Sequence, residues 1–393
     1  RHRGIERLSD SLVSKKMRTS LQLFFFVCLQ TLVCQAGEAA VRPLDYAKNF
    51  TLSEYPDYKV LTVRNAYRNA KREFRYALVP RSEALPADLP EDATLIRTPV
   101  QRVVLMETVY VGYFDALGQL DTICGAATAE YISHPEVVER LRSGEIQHIQ
   151  SGQKLNIERL LLLQPDLILT TSIGEGQDVS PQLQRSGLPV VLTADYMERH
   201  PLARTEWLKF LAPFFECEPR GLSVYSEIKD DYEALLELTA GLEARPSVFC
   251  GASYSGVWHV PGGGSFIARS IHDAGGDYVW ADDDSQGGIP LDTERVFLKA
   301  AEADIWLHPS FYRSLNELYG ADPRFAKFRA AEIGEVYNNT RQVGQKGGNN
   351  IWERGIVHPE EVLADLIQIF HPGLLQEREL VYYERLESGH TTP

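Results

Sequence analysis

Cysteine is scarce and net positive charge is lacking in this chain, and each removes a class of protein. Only five cysteines occur in 393 residues. Cys28 and Cys34 fall in an apolar leader, leaving Cys124, Cys217 and Cys250, an odd number without CxxC spacing. That excludes a disulfide framework or zinc knuckle, and the three read as small buried hydrophobes. The formal net charge of −14 repels phosphate backbones, so nucleic acid is excluded as a partner. There is no Gly-x-Ser-x-Gly elbow. The Gly-rich "VPGGGSF" at 260–266 lacks both the Lys-Ser/Thr of a phosphate loop and the spacing of a dinucleotide fingerprint; it reads as a turn into a helix opening near Ser265. No two histidines have HxxxH or HxH spacing, so His134, His148, His259, His308 and His358 build no local metal site. "DDDS" at 282–285 lacks the ligand spacing of a calcium loop.

Long hydrophobic runs are missing too. "LQLFFFVCLQTLV" is shorter than the roughly 20 residues of a bilayer span, and coming after Lys15, Lys16 and Arg18 it fits the core of an export signal. The reading predicts a start at Met17, with Arg1 to Lys16 upstream of it, and a signal over 17–39. Cleavage falls after Ala36 or Ala39, or before Cys34 if that cysteine is lipidated; "TLVC" departs from a lipobox because no small residue precedes the cysteine.

What is present is globular: 44% hydrophobic and 24% charged residues. "YKVLTVRN" and "EFRYALVPR" alternate apolar and polar residues around a turn and predict a hairpin. From "RVVLM" onward, continuous apolar strands alternate with helices, the pattern of a parallel sheet covered on both faces. The expected class is α/β, two Rossmann-like lobes with mostly parallel sheets joined by a long rigid helix. The lobes are placed at 45–200 and 244–386, with a helical linker at 201–243. Within the linker Pro213 and Pro219 divide a shorter helix from a longer one of roughly 33 Å.

One unit occurs twice. "NIERLLLLQPDLILTT" at 156–171 and "LDTERVFLKAAEADIWLHPS" at 291–310 each pass from a small polar cap through a helix to a short strand, with a Glu two residues after the cap. Taken locally, Asn156 and Asp292 are N-caps, and Glu158 and Glu294 are first-turn carboxylates favoured by the helix dipole by about 0.3–1 kcal/mol.

With these units, "RVVLMETVYVGYFDALGQLDTICGAAT" and the ending "NNIWERGIVHPEEVLADLIQIFHP", the sequence from about Gln101 to Pro372 resembles the periplasmic substrate-binding proteins of ABC importers for iron-siderophores, haem and cobalamin. The resemblance rests on the order of these blocks. It implies a non-enzymatic, monomeric, periplasmic protein without an intrinsic cofactor, with Cys34 as the candidate site of a lipid anchor. Its ligand would be an iron chelate, haem or corrinoid, and its partner an inner-membrane ABC permease dimer that receives Glu158 and Glu294 in basic pockets. The hairpin at Tyr58 to Arg81 and the Gly-rich 260–280 region depart from the family pattern and leave the ligand open, because variable loops hold it.

By resemblance, and by the rule that ligands lie beyond the carboxyl ends of parallel strands, the expected ligand-facing residues are Val109, Tyr110, Tyr131, Gly152, Gln153, Thr171 and Ser172 from the first lobe. From the second come Tyr254, Trp258, His308, Tyr312, Asn350 and Trp352. Aromatic rings there would offer flat apolar contact, with His308 and His259 as axial ligands if the cargo is haem. The alternatives are capture of a free metal ion, or a cell-envelope hydrolase using the same cleft.

Overall fold

The computed structural model describes residues 39–388 except 152–153, 173, 175–182, 184, 345 and 377. The chain divides into Arg1–Ala40 and Val41–Pro393, and the fold is that of the second unit. Gly152, Gln153, Met17 and Cys34 lie outside the described residues.

Continuous apolar runs become parallel strands buried on both faces. The first such sheet has the order Val190–Leu192, Leu167–Thr170, Val103–Leu105, Ile123–Ala126, Gln147–His148, all parallel. The second runs Asp277–Tyr278, Ser247–Cys250, Ile305–Leu307, Val336–Asn338, Glu384–Arg385, with only the last strand antiparallel. In both, the strand order reverses next to the first strand of the sheet, the arrangement that opens a crevice at the strands' carboxyl ends. The α/β class with two mostly parallel sheets is therefore observed.

The predicted hairpin forms, with Val63 opposite Phe74. It belongs to a larger mixed sheet, pairing antiparallel with Phe50–Glu54 and parallel with Ala93–Thr98. The Tyr76 hydroxyl fastens that sheet to the first parallel sheet by accepting from the Leu192 N–H at 2.8 Å.

Between the two parallel sheets run the helices Pro201–Thr205 and Leu208–Leu211, then a 22-residue helix, Glu218–Thr239. Pro219 sits in its first turn, where its missing N–H costs nothing. Gly221, Tyr225, Ile228, Tyr232 and Thr239 are its buried residues, a stripe at helical spacing. A Cβ on Gly221 would meet the Ala212 Cβ at 2.8 Å, so glycine is what lets this helix lie close against the preceding turn. The helix touches both Val109–Leu117 and Pro359–Phe370, one helix following the first strand of the first parallel sheet and one near the chain's end. Its C-terminal part is tied down: the Tyr232 hydroxyl donates to Asp273 Oδ2 at 2.8 Å, and Glu233 Oε1 accepts from the Tyr46 hydroxyl at 2.7 Å. One hydrophobic core runs through both parallel sheets and this helix. Among the described residues no helix is long and apolar enough to cross a membrane.

Candidate functional site

Parallel strands put their following loops on one edge of each sheet, and these loops meet. After Ile123–Ala126, the Ser133 N–H donates to Glu353 Oε1 at 2.7 Å, in the segment after Val336–Asn338. Gly112 makes this meeting close: a Cβ there would lie 2.4 Å from the Glu353 carbonyl oxygen. His134 Nε2 lies 3.6 Å from Asp115 Oδ1, which raises the imidazole's pKa and lowers the carboxyl's.

Two spaces open along this edge. A cavity of about 550 Å³ is lined by Ala129, Glu130, Ile132 and Ser133 from one sheet's loop and by Gly344, Lys346 and Gly348 from the other's, with Arg142 and His148 at its wall. That volume lies in the range of small-molecule sites, roughly 300–1,000 Å³. A narrow apolar pocket of about 40 Å³ lies beside His308, Trp352, Phe266 and Tyr383, with room for a few waters and not for a chelate.

His308 forms the wall of the narrow pocket. Its Nε2 is 2.6 Å from the Tyr383 hydroxyl, and desolvation lowers its pKa to about 4, so the ring is neutral at pH 7. Both His308 and Ser310 have left-handed backbones (φ 54° and 56°), a conformation disfavoured for non-glycine residues and often held in place at functional sites. The buried Asn338 amide holds it here, donating to the carbonyls of Ser310 at 2.9 Å and Tyr312 at 2.7 Å. The clamped loop leaves Phe311 87% exposed. Phe311 is not among the residues expected from the sequence, although its place between a strand end and Tyr312 is a usable signal.

The first sheet has a different polar feature at its edge. Glu107 follows the strand Val103–Leu105, and its Oε1 accepts from the Thr171 N–H (3.2 Å), the Thr171 hydroxyl (3.1 Å) and the Thr170 hydroxyl (3.3 Å). Its Oε2 is buried without a partner among the described residues. Burial pushes this carboxyl up to about 7. Sequence reading missed it as well, since nothing local distinguishes it from a surface glutamate.

The remaining predicted residues divide. Tyr131, Tyr254 and Trp352 are exposed, Tyr131 and Trp352 at the ends of short 3-10 turns and Tyr254 on the short strand Ser253–Tyr254. Tyr131 borders Gly347 and Gly348, where a Cβ on Gly348 would collide with the Tyr131 carbonyl. Thr171 is half-buried on Glu107. Asn350 donates to Gln342 Oε1 at 2.6 Å. Val109 and Tyr312 are half-buried against the core.

Three expectations fail. Tyr110 is fully buried, its hydroxyl 3.0 Å from Thr193 Oγ1. Ser172 is buried, and its hydroxyl oxygen accepts from the nearby Gly174 N–H at 3.4 Å. Trp258 lies inside an aromatic cluster, 5.5–5.9 Å from the rings of Trp306, Phe325 and Phe328, with Nε1 donating to the Cys250 carbonyl at 2.9 Å. It sits on the strand Val257–Pro261, whose alternation turns Trp258 and Val260 inward and His259 outward.

His358, Glu360 and Glu361 bring possible ligand atoms within 4.8 Å of one another. The guanidinium of Arg354 already holds Glu361, with contacts of 2.6–3.2 Å, and supplies the positive charge a metal would bring. The cluster reads as an ion-pair network at a helix start.

In the repeated units, Asn156 Oδ1 accepts from the Arg159 N–H at 2.9 Å and Asp292 Oδ1 from the Arg295 N–H at 2.8 Å, capping the helices Ile157–Leu163 and Thr293–Ala300. Glu158 and Glu294 are exposed in the first turns.

Residues 103–342 match the family model of periplasmic binding proteins. An uncharacterized lipoprotein of Methanocaldococcus jannaschii is 23% identical over 374 residues, covering 89% of this chain and 87% of its own. The vitamin B12-binding protein of Yersinia pestis is 32% identical over 115 residues, 29% of this chain and 38% of its own. A periplasmic haem-binding protein from Pseudomonas aeruginosa superposes with a TM-score of 0.56 at 19% identity, over 74% of this chain and 100% of that one.

Proposed function

The chain belongs to the periplasmic binding protein family, and from that premise we propose that it is the extracytoplasmic solute-binding component of an ABC importer. It captures an intact iron chelate, haem or corrinoid between lobes at 45–200 and 244–386 and delivers it to a permease dimer, without catalysis. The observation that carries this reading is the cavity of about 550 Å³, lined by strand-end loops of both parallel sheets. Exposed aromatic side chains on such loops, Tyr131, Phe311 and Trp352, suit a flat apolar cargo. Glu158 and Glu294, one exposed carboxylate for each sheet, then engage the two halves of the permease. The lipoprotein name of the Methanocaldococcus relative supports an acyl anchor at Cys34.

Calorimetry with haem, cobalamin and ferric siderophores against bare zinc, manganese and ferric ions tests the cargo class. The reading requires tight binding of a chelate. Tight binding of a bare ion alone would replace it with free-metal capture.

A further inference from the structure

The two repeated units share more than a glutamate. Aligning Asn156 with Asp292 brings Glu158 onto Glu294, Arg159 onto Arg295, Leu160 onto Val296 and Leu162 onto Leu298. Leu160 and Val296 are fully buried and seat each helix on its sheet. Leu162 and Leu298 do the opposite: they are 85% and 89% exposed. Each stands four residues after the glutamate, on the same face of its helix and about 6 Å farther along the axis.

A single exposed leucine needs no explanation. Here the same side chain is bared at the same register on two helices that belong to different sheets, and each time one turn from a capped, exposed carboxylate. Neither leucine is required to fill a core, because Leu160 and Val296 already do that. What the two faces have in common is a pair of contact points, one anionic and one apolar, presented twice.

We infer that each unit is a two-point docking surface, and that the partner offers, twice, a cationic pocket with an apolar socket about one helical turn away. This rests on the reading of Glu158 and Glu294 as permease contacts and deepens it: the glutamates supply charge pairing and steering, while the leucines supply the desolvated contact that slows dissociation. A two-fold protein dimer is the occupant that matches a duplicated surface. An anionic lipid surface is disfavoured by the carboxylates and by the net charge of −14.

The test uses the mature protein and the ABC permease dimer of the same organism in nanodiscs, with dissociation constants from biolayer interferometry. Leu162→Gln with Leu298→Gln keeps helix propensity and is expected to weaken docking by about tenfold or more, leaving the melting temperature and haem or cobalamin binding unchanged. Glu158→Gln with Glu294→Gln is measured in parallel. If the glutamate pair weakens docking and the leucine pair does not, the leucine inference is overturned and the permease reading stands. If neither pair matters, the permease reading itself falls. A lower melting temperature in the leucine variant would show that the side chains serve the fold. Self-association of the wild type in ultracentrifugation, lost in the leucine variant, would make a second copy of this chain the occupant and overturn the proposal.

Discussion

The two repeated units agree at their helix starts and differ at their strand ends. Both helices begin with a side-chain cap of 2.8–2.9 Å, an exposed first-turn glutamate and an exposed leucine one turn on. Beyond the helices they diverge. The first strand, Leu167–Thr170, is wholly buried, aliphatic up to its closing threonine, and leads to Thr171 on Glu107. The second, Ile305–Leu307, carries Trp306 within an aromatic cluster and leads to the neutral His308 beside Tyr383. Repetition is kept on the surface that would meet a symmetric partner and abandoned on the edge that would meet an asymmetric ligand. A smaller difference lies on the outer face, where Glu294 pairs with Arg324 at 3.2 Å; that exposed pair adds little to stability and is readily exchanged for another cation.

The comparison breaks most visibly through the aromatic cluster. Trp258→Ala removes a fully buried ring that packs on Trp306 and is expected to cost about 3–5 kcal/mol of stability, seen as a lower denaturation midpoint, with ligand affinity unchanged while the protein remains folded. Unchanged stability would mean the ring is not part of the core.

Next in size is the contrast between Glu107 and His308, which titrate in opposite senses. A carboxyl raised to about 7 holds a proton that the unfolded chain has lost above about 4.5. Its contribution is therefore fully present below that pH and is lost as pH rises towards 7 and beyond. Glu107→Gln should flatten this loss and raise stability at pH 8 relative to wild type by on the order of 1–3 kcal/mol. An imidazole lowered to about 4 is neutral in the fold while the unfolded chain is protonated below about 6.5, so its contribution is lost as pH falls from 6.5 to 4. Denaturant titrations at pH 4.5 and 8 separate the two; a Glu107→Gln protein with the wild-type pH profile would place that carboxylate in solvent.

Smaller still is the effect at the cleft. Phe311→Ala and Trp352→Ala should each weaken chelate binding by more than about 1 kcal/mol with little change in melting temperature. A drop in melting temperature at unchanged affinity would assign them to the core.

The sequence made the local devices readable and left the tertiary ones hidden. The caps Asn156, Asp292 and Ser265, the Pro219 helix start and the parallel strands all follow from signals within a few residues. The burial of Tyr110 is hidden from the sequence because its hydroxyl partner, Thr193, lies 83 residues away. The burial of Trp258 is hidden as well, because the alternation in "VWHVP" shows that two faces exist but not which one is covered. Glu107 and the clamp on Phe311 depend on Thr171 and Asn338, contacts made only when separate strands assemble.

The central claim, that the unit is duplicated to serve a two-fold partner, is tested most directly by transport. With Glu158→Ala and Glu294→Ala combined, ligand affinity should stay near wild type and stimulation of the ABC permease in proteoliposomes should be abolished, since the bivalent contact loses both charges. Delivery of ligand at the wild-type rate by that double variant would contradict the account and leave the repeat as a recurring piece of fold.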